Sequence, residues 1–576
     1  MLLRPLSRPL LATAALLAAP LAAHDAPDPP ARAATQPAEP AIAESALPAD
    51  PRFSAERVKA HVAFLADDLL EGRETGSTGM EIAARYVAQQ FAALGLKPMG
   101  DEGGWLQRVT FQKTEQVDAP SGVTISGPAG SATFDHGVDS LVGLNANEPV
   151  LDLAAPLVFA GYGIENARFG LHDYAGLDVR GKVVVVLRGA PAGLPSEEAA
   201  HFSATKAETA QAQGAIGLIS IDTLASAKAR DWTRRLSTAR GIAYSWVGPD
   251  GIAFDEAPGI RAGAGLSDKA AAALFAGAPR TLAQIRAVAA RKGGVPKGFA
   301  LKTSVRLFGQ SRSSRVTSPN VVALLPGSDP ALADQYVVLS GHLDHLGIDP
   351  VKPGEPEDKD RINNGALDNA AGVATTLEVA HVLAADETAP RRSILFVIST
   401  GEEKGLLGAD YFARHAPVPV SRIVGNVDLD MPLLLYPFTD LIAFGAEHSA
   451  IARMAAQAVA PMNLRLAPDP MPHENIFVRS DHYMFVRQGV PAVFLATGFA
   501  NGGEAAWSDF LANRYHSPAD DMSQAINWRA GARFAEANYR ITRAMADADT
   551  PPLWYEGDFF GDLFAPDAPR AQRAAP

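Results

Sequence analysis

Five short stretches hold the residues whose types and spacing suggest chemistry. His342 and Asp344 lie in SGHLDHLG (340–347), Asp368 in NNGALDNAAG (363–372), and Glu402 and Glu403 in STGEEKGLLGADYF (399–412). Asp428 and Asp430 follow in IVGNVDLDM (423–431), and His516 in RYHSPADDM (514–522). Imidazole and carboxylate donors in a chain with no cysteine favour zinc, or a similar divalent ion, in an open catalytic site over a closed structural one. Two imidazoles and three carboxylates suffice for two ions if one carboxylate bridges them. Ions about 3.5–4 Å apart polarise a carbonyl and make a nucleophile from water at neutral pH. Asp428 and Asp430 share one face of a strand by its period of two, so spacing does not choose between them. Adjacent Glu402 and Glu403 point in different directions as the chain leaves a strand, so one of them faces the ions directly.

A lone histidine beside a strand is ordinarily packed or solvated, and a Glu-Glu pair is ordinarily surface. The elements that carry these residues turn that reading over. Residues 336–339 (YVVL) run into His342, 393–400 (SILFVIST) run into Glu402, and 370–383 have the apolar period of a long helix opened by the Asp368 loop. Buried strands seldom end in clustered charge without a reason. Open α/β sheets place ligands at the carboxyl ends of such strands. His345 and His473 are expected to be structural or solvated. Ser480, Asp481 and His482 are contiguous, which does not suit a serine-hydrolase triad.

The 576 residues, 47% hydrophobic, are enough for two or three domains. A net charge of −13 and a pI near 5.5 argue against nucleic acid and anionic membrane surfaces as partners. Arg4 and Arg8 precede an Ala/Leu-rich run over 9–23, a secretory signal pattern too short to span a membrane. Without cysteine there is no lipoprotein attachment site and no disulfide framework. These features predict a periplasmic or secreted bacterial protein without stable membrane insertion.

The predicted organisation is a signal peptide (1–23), a disordered Pro/Ala-rich linker (24–50), a first catalytic part (51–117), an inserted β-rich module (118–300), a second catalytic part (301–550) and a C-terminal tail (551–576). Helices are expected from Ser54, with Val58, Val62, Leu65 and Leu69 on one face, and over 79–94. The Gly-rich loop 70–77 between them reads as an ordinary connector. Strands are expected over 105–111, 182–188, 215–221, 301–308 and 320–325, with a hairpin near 121–134 and a helix break at Pro279.

Within the insert, VFAGYGI, DYAGLDVRGKVVVVLRG and KAETAQAQGAIGLI resemble the protease-associated domain of secreted peptidases. The ordered series GHLDHLG, GALDNAAG, GEEKGLLGA, NVDLDM, SDHYMFVRQGVPA and YHSPADD resembles the co-catalytic zinc aminopeptidases, which are related to glutamate carboxypeptidases and the transferrin receptor. The resemblance implies a zinc exopeptidase fold: an α/β domain with a mixed, mostly parallel sheet and helices on both faces. It implies two zinc ions per chain, one held by His342 and Asp430, the other by Glu403 and His516, with Asp368 bridging. Glu402 would be the general base, and Asp344 the carboxylate behind His342 that orients its imidazole. The Asp368–Asn369 peptide is expected to be cis, as is typical of this family. Two positions depart from its pattern. Asp428 stands where the family has Asn, and Phe477 stands where some members have an oxyanion-stabilising Tyr, leaving Tyr515 as a candidate. The activity implied is removal of N-terminal residues from peptides with a free N-terminus. A carboxypeptidase or dipeptidase on the same metal core, and a non-catalytic receptor-like binding protein, are the alternatives.

Overall fold

The computed structural model describes residues 42–573 apart from 240 and 353, so the expected signal peptide and residues 24–41 of the expected linker lie outside the described residues. Residues 42–50 are tied to the body: Ile42 and Asn501 exchange hydrogen bonds, Arg533 donates to the Pro48 carbonyl, and the Asp50 amide donates to Glu536.

Helix α1 (Ala55–Leu65) starts at Ser54, whose hydroxyl accepts from the Arg57 amide, and buries Val58, Val62 and Leu65. Leu69, expected on that face, lies beyond the helix end and is 84% exposed. Helix α2 (Thr78–Ala93) is capped by Ser77. Strand β1 (Leu106–Gln116) then pairs antiparallel with β2 (Phe299–Leu325) over residues 311–321 of β2.

The central layer comprises β3 (Tyr336–His342), helix α3 (Ala371–Ala385), β4 (Ser393–Ser399), helix α4 (Leu407–Arg414), β5 (Ile423–Leu429), β6 (Asp440–Phe444), β7 (Ala492–Thr497) and helix α5 (Trp528–Asp547). β3 lies between β4 and β5, parallel to both, and β5 pairs parallel with β7. β2 joins β4 antiparallel, and β6 joins β7 antiparallel. This is a mixed, mostly parallel sheet. Alternate residues of its strands enter different cores: Val337, Leu339, Phe396 and Val427 pack with α1, α2, α3 and α5, while Val338, Leu395 and Val397 pack on the opposite face with α4. Burial on both faces explains why these strands read as continuous apolar runs. The chain leaves β3 for β4 on one side and returns to β5 on the other, so a crevice opens where β3, β4 and β5 end.

The insert does not form a separate sheet. Expected strands at 301–308 and 320–325 are one 27-residue strand, β2. Its first half pairs with insert strands Gly122–Gly127 and Val150–Phe159, and its second half with β1 and β4. Insert strand Ile242–Trp246 returns to pair with β1. The insert also docks through side chains. The Trp246 indole donates to Asp410 of α4 (2.7 Å), and His201 Nδ1 lies 2.7 Å from the Tyr483 hydroxyl.

At the other end of the insert, His448 is buried between two carboxylates, Asp558 (2.7 Å from Nδ1) and Glu197 of the insert, at Nε2. Burial works against its charged form, but the two carboxylates outweigh that and raise its pKa to about 10. The folded pKa exceeds the ordinary 6.5, so the stabilisation is full below pH about 6.5 and is lost as pH rises through about 10. His448→Gln is therefore expected to lower the thermal midpoint at pH 6, by an amount that shrinks toward pH 10.5. A pH-independent difference between the two proteins would refute this.

Candidate metal centre

Each chemically suggestive stretch ends at this crevice. His342 is the last residue of β3, Glu402 and Glu403 follow β4, Asp430 follows β5, and Asp368 sits in the turn Ala366–Ala370 that opens α3. The Asp368–Asn369 peptide is cis.

The side chains fall into two sets that share one carboxylate. His342 Nε2 lies 3.3 Å from Asp368 Oδ1 and 3.1 Å from Asp430 Oδ1. His516 Nε2 lies 3.3 Å from Asp368 Oδ2 and 3.4 Å from Glu403 Oε2. Ligands about 2.0–2.2 Å from a tetrahedral zinc stand roughly 3.3–3.6 Å apart, close to the 3.1–3.4 Å found here, so an ion fits each set with small adjustment. All five residues singled out in the sequence are thus brought together at this crevice. The surroundings are strongly acidic. Burial opposes charge on both imidazoles, yet the neighbouring carboxylates hold His342 well above its usual pKa and His516 at about 10.

Support for the set comes from the backbone of several loops. Asn369 Nδ2 donates to the Leu429 carbonyl (2.8 Å), while its Oδ1 accepts from the Gly372 and Met431 amides, tying the Asp368 turn to the Asp430 loop. Met431 (φ 43°) and His516 (φ 56°) both hold left-handed backbone, a local cost such cross-ties sustain. Asp520 accepts from the Leu367 and Asp368 amides at 3.0–3.1 Å. Arg73, in the loop expected to be a plain connector, is fully buried. It donates to the carbonyls of Leu343 (2.8 Å), Asn364 (2.6 Å) and Gly365 (3.1 Å), and to that of Leu65. One guanidinium thus clamps the His342 and Asp368 loops and adds positive charge beside the carboxylates. The fork of N–H groups that lets it do so is specific to arginine. Gly72 permits the approach: it has φ 67°, and a Cβ there would lie 2.5 Å from the Asn363 carbonyl.

One expectation is corrected. The Asp344 carboxylate does not hold His342. The imidazole Nδ1 lies 3.0 Å from the Asp344 main-chain carbonyl, while the carboxylate turns away to accept from Thr75 Oγ1 (2.9 Å) and the Glu402 amide (3.1 Å). Donation from Nδ1 to that carbonyl leaves Nε2 facing Asp368 and Asp430. His345, expected to be structural or solvated, is buried, with Nδ1 2.7 Å from Glu403 Oε1 and 4.0 Å from Asp368 Oδ2.

Asp428 stands beneath the centre. It accepts from Ser340 Oγ (2.6 Å), and Ser480 Oγ sits 2.8 Å from Asp428 and 2.9 Å from Asp430. Burial raises the Asp428 pKa to about 6, with Asp430 adding to the rise against the hydroxyl hydrogen bonds. Both hydroxyl contacts are ones that an amide oxygen could also accept. Asp428→Asn is expected to keep metal content and turnover within about 3-fold, whereas Asp430→Ala should lower metal occupancy; metal analysis with kinetics on both variants checks this. The opposite pattern would move the ligand to Asp428. Ser480 is committed to these acids, and neither ring nitrogen of buried His482 has a hydrogen-bond partner, so no serine triad forms. Tyr515 stacks on His516 (centroids 3.8 Å apart), with its hydroxyl 3.5 Å from Arg479.

Residues 320–542 match Peptidase family M28, and residues 153–242 match the PA domain. Among curated relatives, "probable leucine aminopeptidase 2" of Aspergillus oryzae is 28% identical over 260 residues, 41% of this chain and 47% of that protein. A "probable zinc metalloprotease" of Pyrenophora teres f. teres is 34% identical over 116 residues, 20% of this chain and 23% of that protein. The chain thus spans about half the length of the first relative and under a quarter of the second. Among solved structures, an aminopeptidase from Aneurinibacillus sp. strain AM-1 aligns over 87% of this chain and 95% of its own, at 21% identity and a TM-score of 0.48.

Proposed function

We propose that this chain, which carries a domain of peptidase family M28 and a PA domain, is a two-zinc aminopeptidase that releases residues singly from the N-terminus of peptides. What carries the reading is Asp368, whose two oxygens face two different imidazole–carboxylate sets at 3.3 Å each. His342 and Asp430 would hold one ion, Glu403 and His516 the other, and Asp368 both. Bound there, the ions supply Lewis acidity, polarising the scissile carbonyl and making a water acidic enough to attack near neutral pH.

Glu402 is the proton carrier. Burial, reinforced by Glu403, Asp430 and Asp481, pushes its carboxyl well above the usual range despite His342, so it is a stronger base than an exposed glutamate. It accepts the proton as the water oxygen bonds to the carbonyl carbon, then gives it to the leaving nitrogen as the C–N bond breaks. Asp344 keeps Glu402 in place by accepting from its amide. A free substrate amine is a suitable partner for this carboxylate-rich crevice, and a relative named as a leucine aminopeptidase favours the same direction. The complete ligand set argues against a role in binding alone. The sequence pattern over 1–23 supports export, and among the described residues no helix is long and apolar enough to cross a membrane.

Aminoacyl chromogenic amides with free and acetylated N-termini test the proposal. Chelation should abolish cleavage and zinc restore it, and acetylation should slow cleavage by at least about 10²-fold, because it removes the group the site would recognise. Equal rates on blocked and free substrates would remove the aminopeptidase assignment and leave a hydrolase of other specificity.

A further inference from the structure

The crevice is acidic where the metal-site donors gather, and a cation stands beside it. Arg479 follows the turn Ile476–Val478, against which the insert helix Ser196–Ala204 packs, and precedes Ser480, which touches Asp430. Its guanidinium is held along one edge. Nη1 donates to the Glu474 carbonyl (3.1 Å) and carboxylate (3.3 Å), and Nη2 donates to the Tyr515 hydroxyl (3.5 Å). Tyr515 stacks on the His516 imidazole with centroids 3.8 Å apart, so one ring separates the guanidinium from a proposed ligand. Nε and the second Nη2 hydrogen have no partner among the described residues, and the side chain is 47% exposed. A planar fork anchored in this way is preorganised for a carboxylate.

Positive charge accumulates on this side of the crevice, in a chain whose net charge is −13. Residues 222–239 of the insert supply Lys228, Arg230, Arg234 and Arg235 against Asp222 and Asp231. One Asp222 oxygen already serves both Arg235 (2.9 Å) and Arg188 (3.4 Å), and Asp231 caps the helix Trp232–Thr238 through the Arg234 amide. Burial lowers the Arg230 pKa, and its neighbours Arg235, Arg234 and Arg479 lower it further. Cations crowded together favour an incoming anion. A short peptide has the matching polarity, with a cationic amine for the carboxylate-rich crevice and an anionic end close behind it. An extended chain advances about 3.3–3.6 Å per residue. A carboxylate one or two residues past the cleaved bond therefore comes within reach of a group that only a stacked ring and a hydrogen bond separate from His516.

We propose that Arg479 is a specificity-determining residue that receives the C-terminal carboxylate of di- and tripeptides whose N-terminal residue lies at the ions. The inference rests on the aminopeptidase reading and deepens it by naming the substrate class. Peptides whose C-terminus lies several residues further on gain nothing from this contact.

The test uses the zinc-loaded full chain and matched peptides that end in a carboxylate or in an amide: Leu-Gly, Leu-Gly-Gly and a hexapeptide of leucine followed by glycines. Wild type should favour the acid in both short pairs by about 10-fold in kcat/KM, chiefly through KM, as suits a charge-assisted contact at a half-exposed group. It should show no preference in the hexapeptide pair. Arg479→Met should abolish the preference by raising KM for the short acids. Arg479→Lys, which keeps the charge but not the fork, should retain part of it. Equal rates for short acids and amides in wild type would overturn the proposal, as would a preference that survives Arg479→Met. An equally large preference in the hexapeptide pair would overturn it too, because that end lies beyond the reach of Arg479. An equal fall on acids and amides in Arg479→Met would make the residue a support for Tyr515 and reject the carboxylate role. Wild type that cleaves no member of any pair would instead remove the aminopeptidase reading on which the inference stands.

Discussion

Glu402→Ala is expected to keep both ions and the fold while losing turnover by about 10²–10⁴-fold, the usual contribution of a positioned general base. KM should change little, because the substituted group moves a proton and holds no part of the ground-state substrate. Glu402's carboxyl makes no contact that would mark it as a ligand. Its fixed point is the main-chain N–H, which donates to Asp344 at 3.1 Å and survives the substitution. Zinc stoichiometry and kcat measured on the same sample decide the matter. A metal-depleted variant, or one with full activity, would remove Glu402 from this role.

The neighbouring substitution should behave in the opposite way. The Glu403 carboxylate lies between two imidazoles, at 2.7 Å from His345 and 3.4 Å from His516. Burial and Asp368 raise its pKa, but those imidazoles prevail and lower it to about 2, as befits a carboxylate that stays ionised as a ligand. Glu403→Ala is expected to fall from two ions toward one after dialysis, with activity down by at least about 10³-fold and partly restored by excess zinc. Equilibrium dialysis with elemental analysis reads the first effect, and kinetics at graded free zinc read the second. Two tightly held ions in this variant would refute the assignment. Residues adjacent in sequence would then differ in what they lose, one a proton carrier and the other a metal, which a pair of surface charges could not produce.

Much of the catalytic body was legible before any coordinates. Strands β3, β4 and β5 are buried on both faces, so their apolar runs are continuous, and the charges where those runs stop mark the sheet's carboxyl end. Capping is equally local at the first helix: Ser54 announces α1 because a hydroxyl needs only an amide two or three residues on, whereas Ser77, which caps α2, read as part of the loop before it. The boundary of the insert was less legible. Alternation over 301–308 and 320–325 showed two strands, but nothing in either pattern says that the polar residues between them continue the same ladder, because their partners lie in β1, some two hundred residues earlier in the chain.

The sequence by itself determined which donor types are present, that cysteine is absent, and that five stretches carry the donors at strand ends and loop openings. Those properties follow from residue chemistry and short-range periodicity. Only the tertiary structure decided which atoms converge. It turned the Asp344 carboxylate toward Thr75 and Glu402 while presenting its carbonyl to His342, and it recruited Arg73 from a distant loop to bind the Leu343, Asn364 and Gly365 carbonyls. It also aimed His345 at Glu403, 58 positions away, rather than at its close neighbour His342's set. A side chain's direction within a loop is set by the backbone it packs against, and for these loops that backbone comes from elsewhere in the chain.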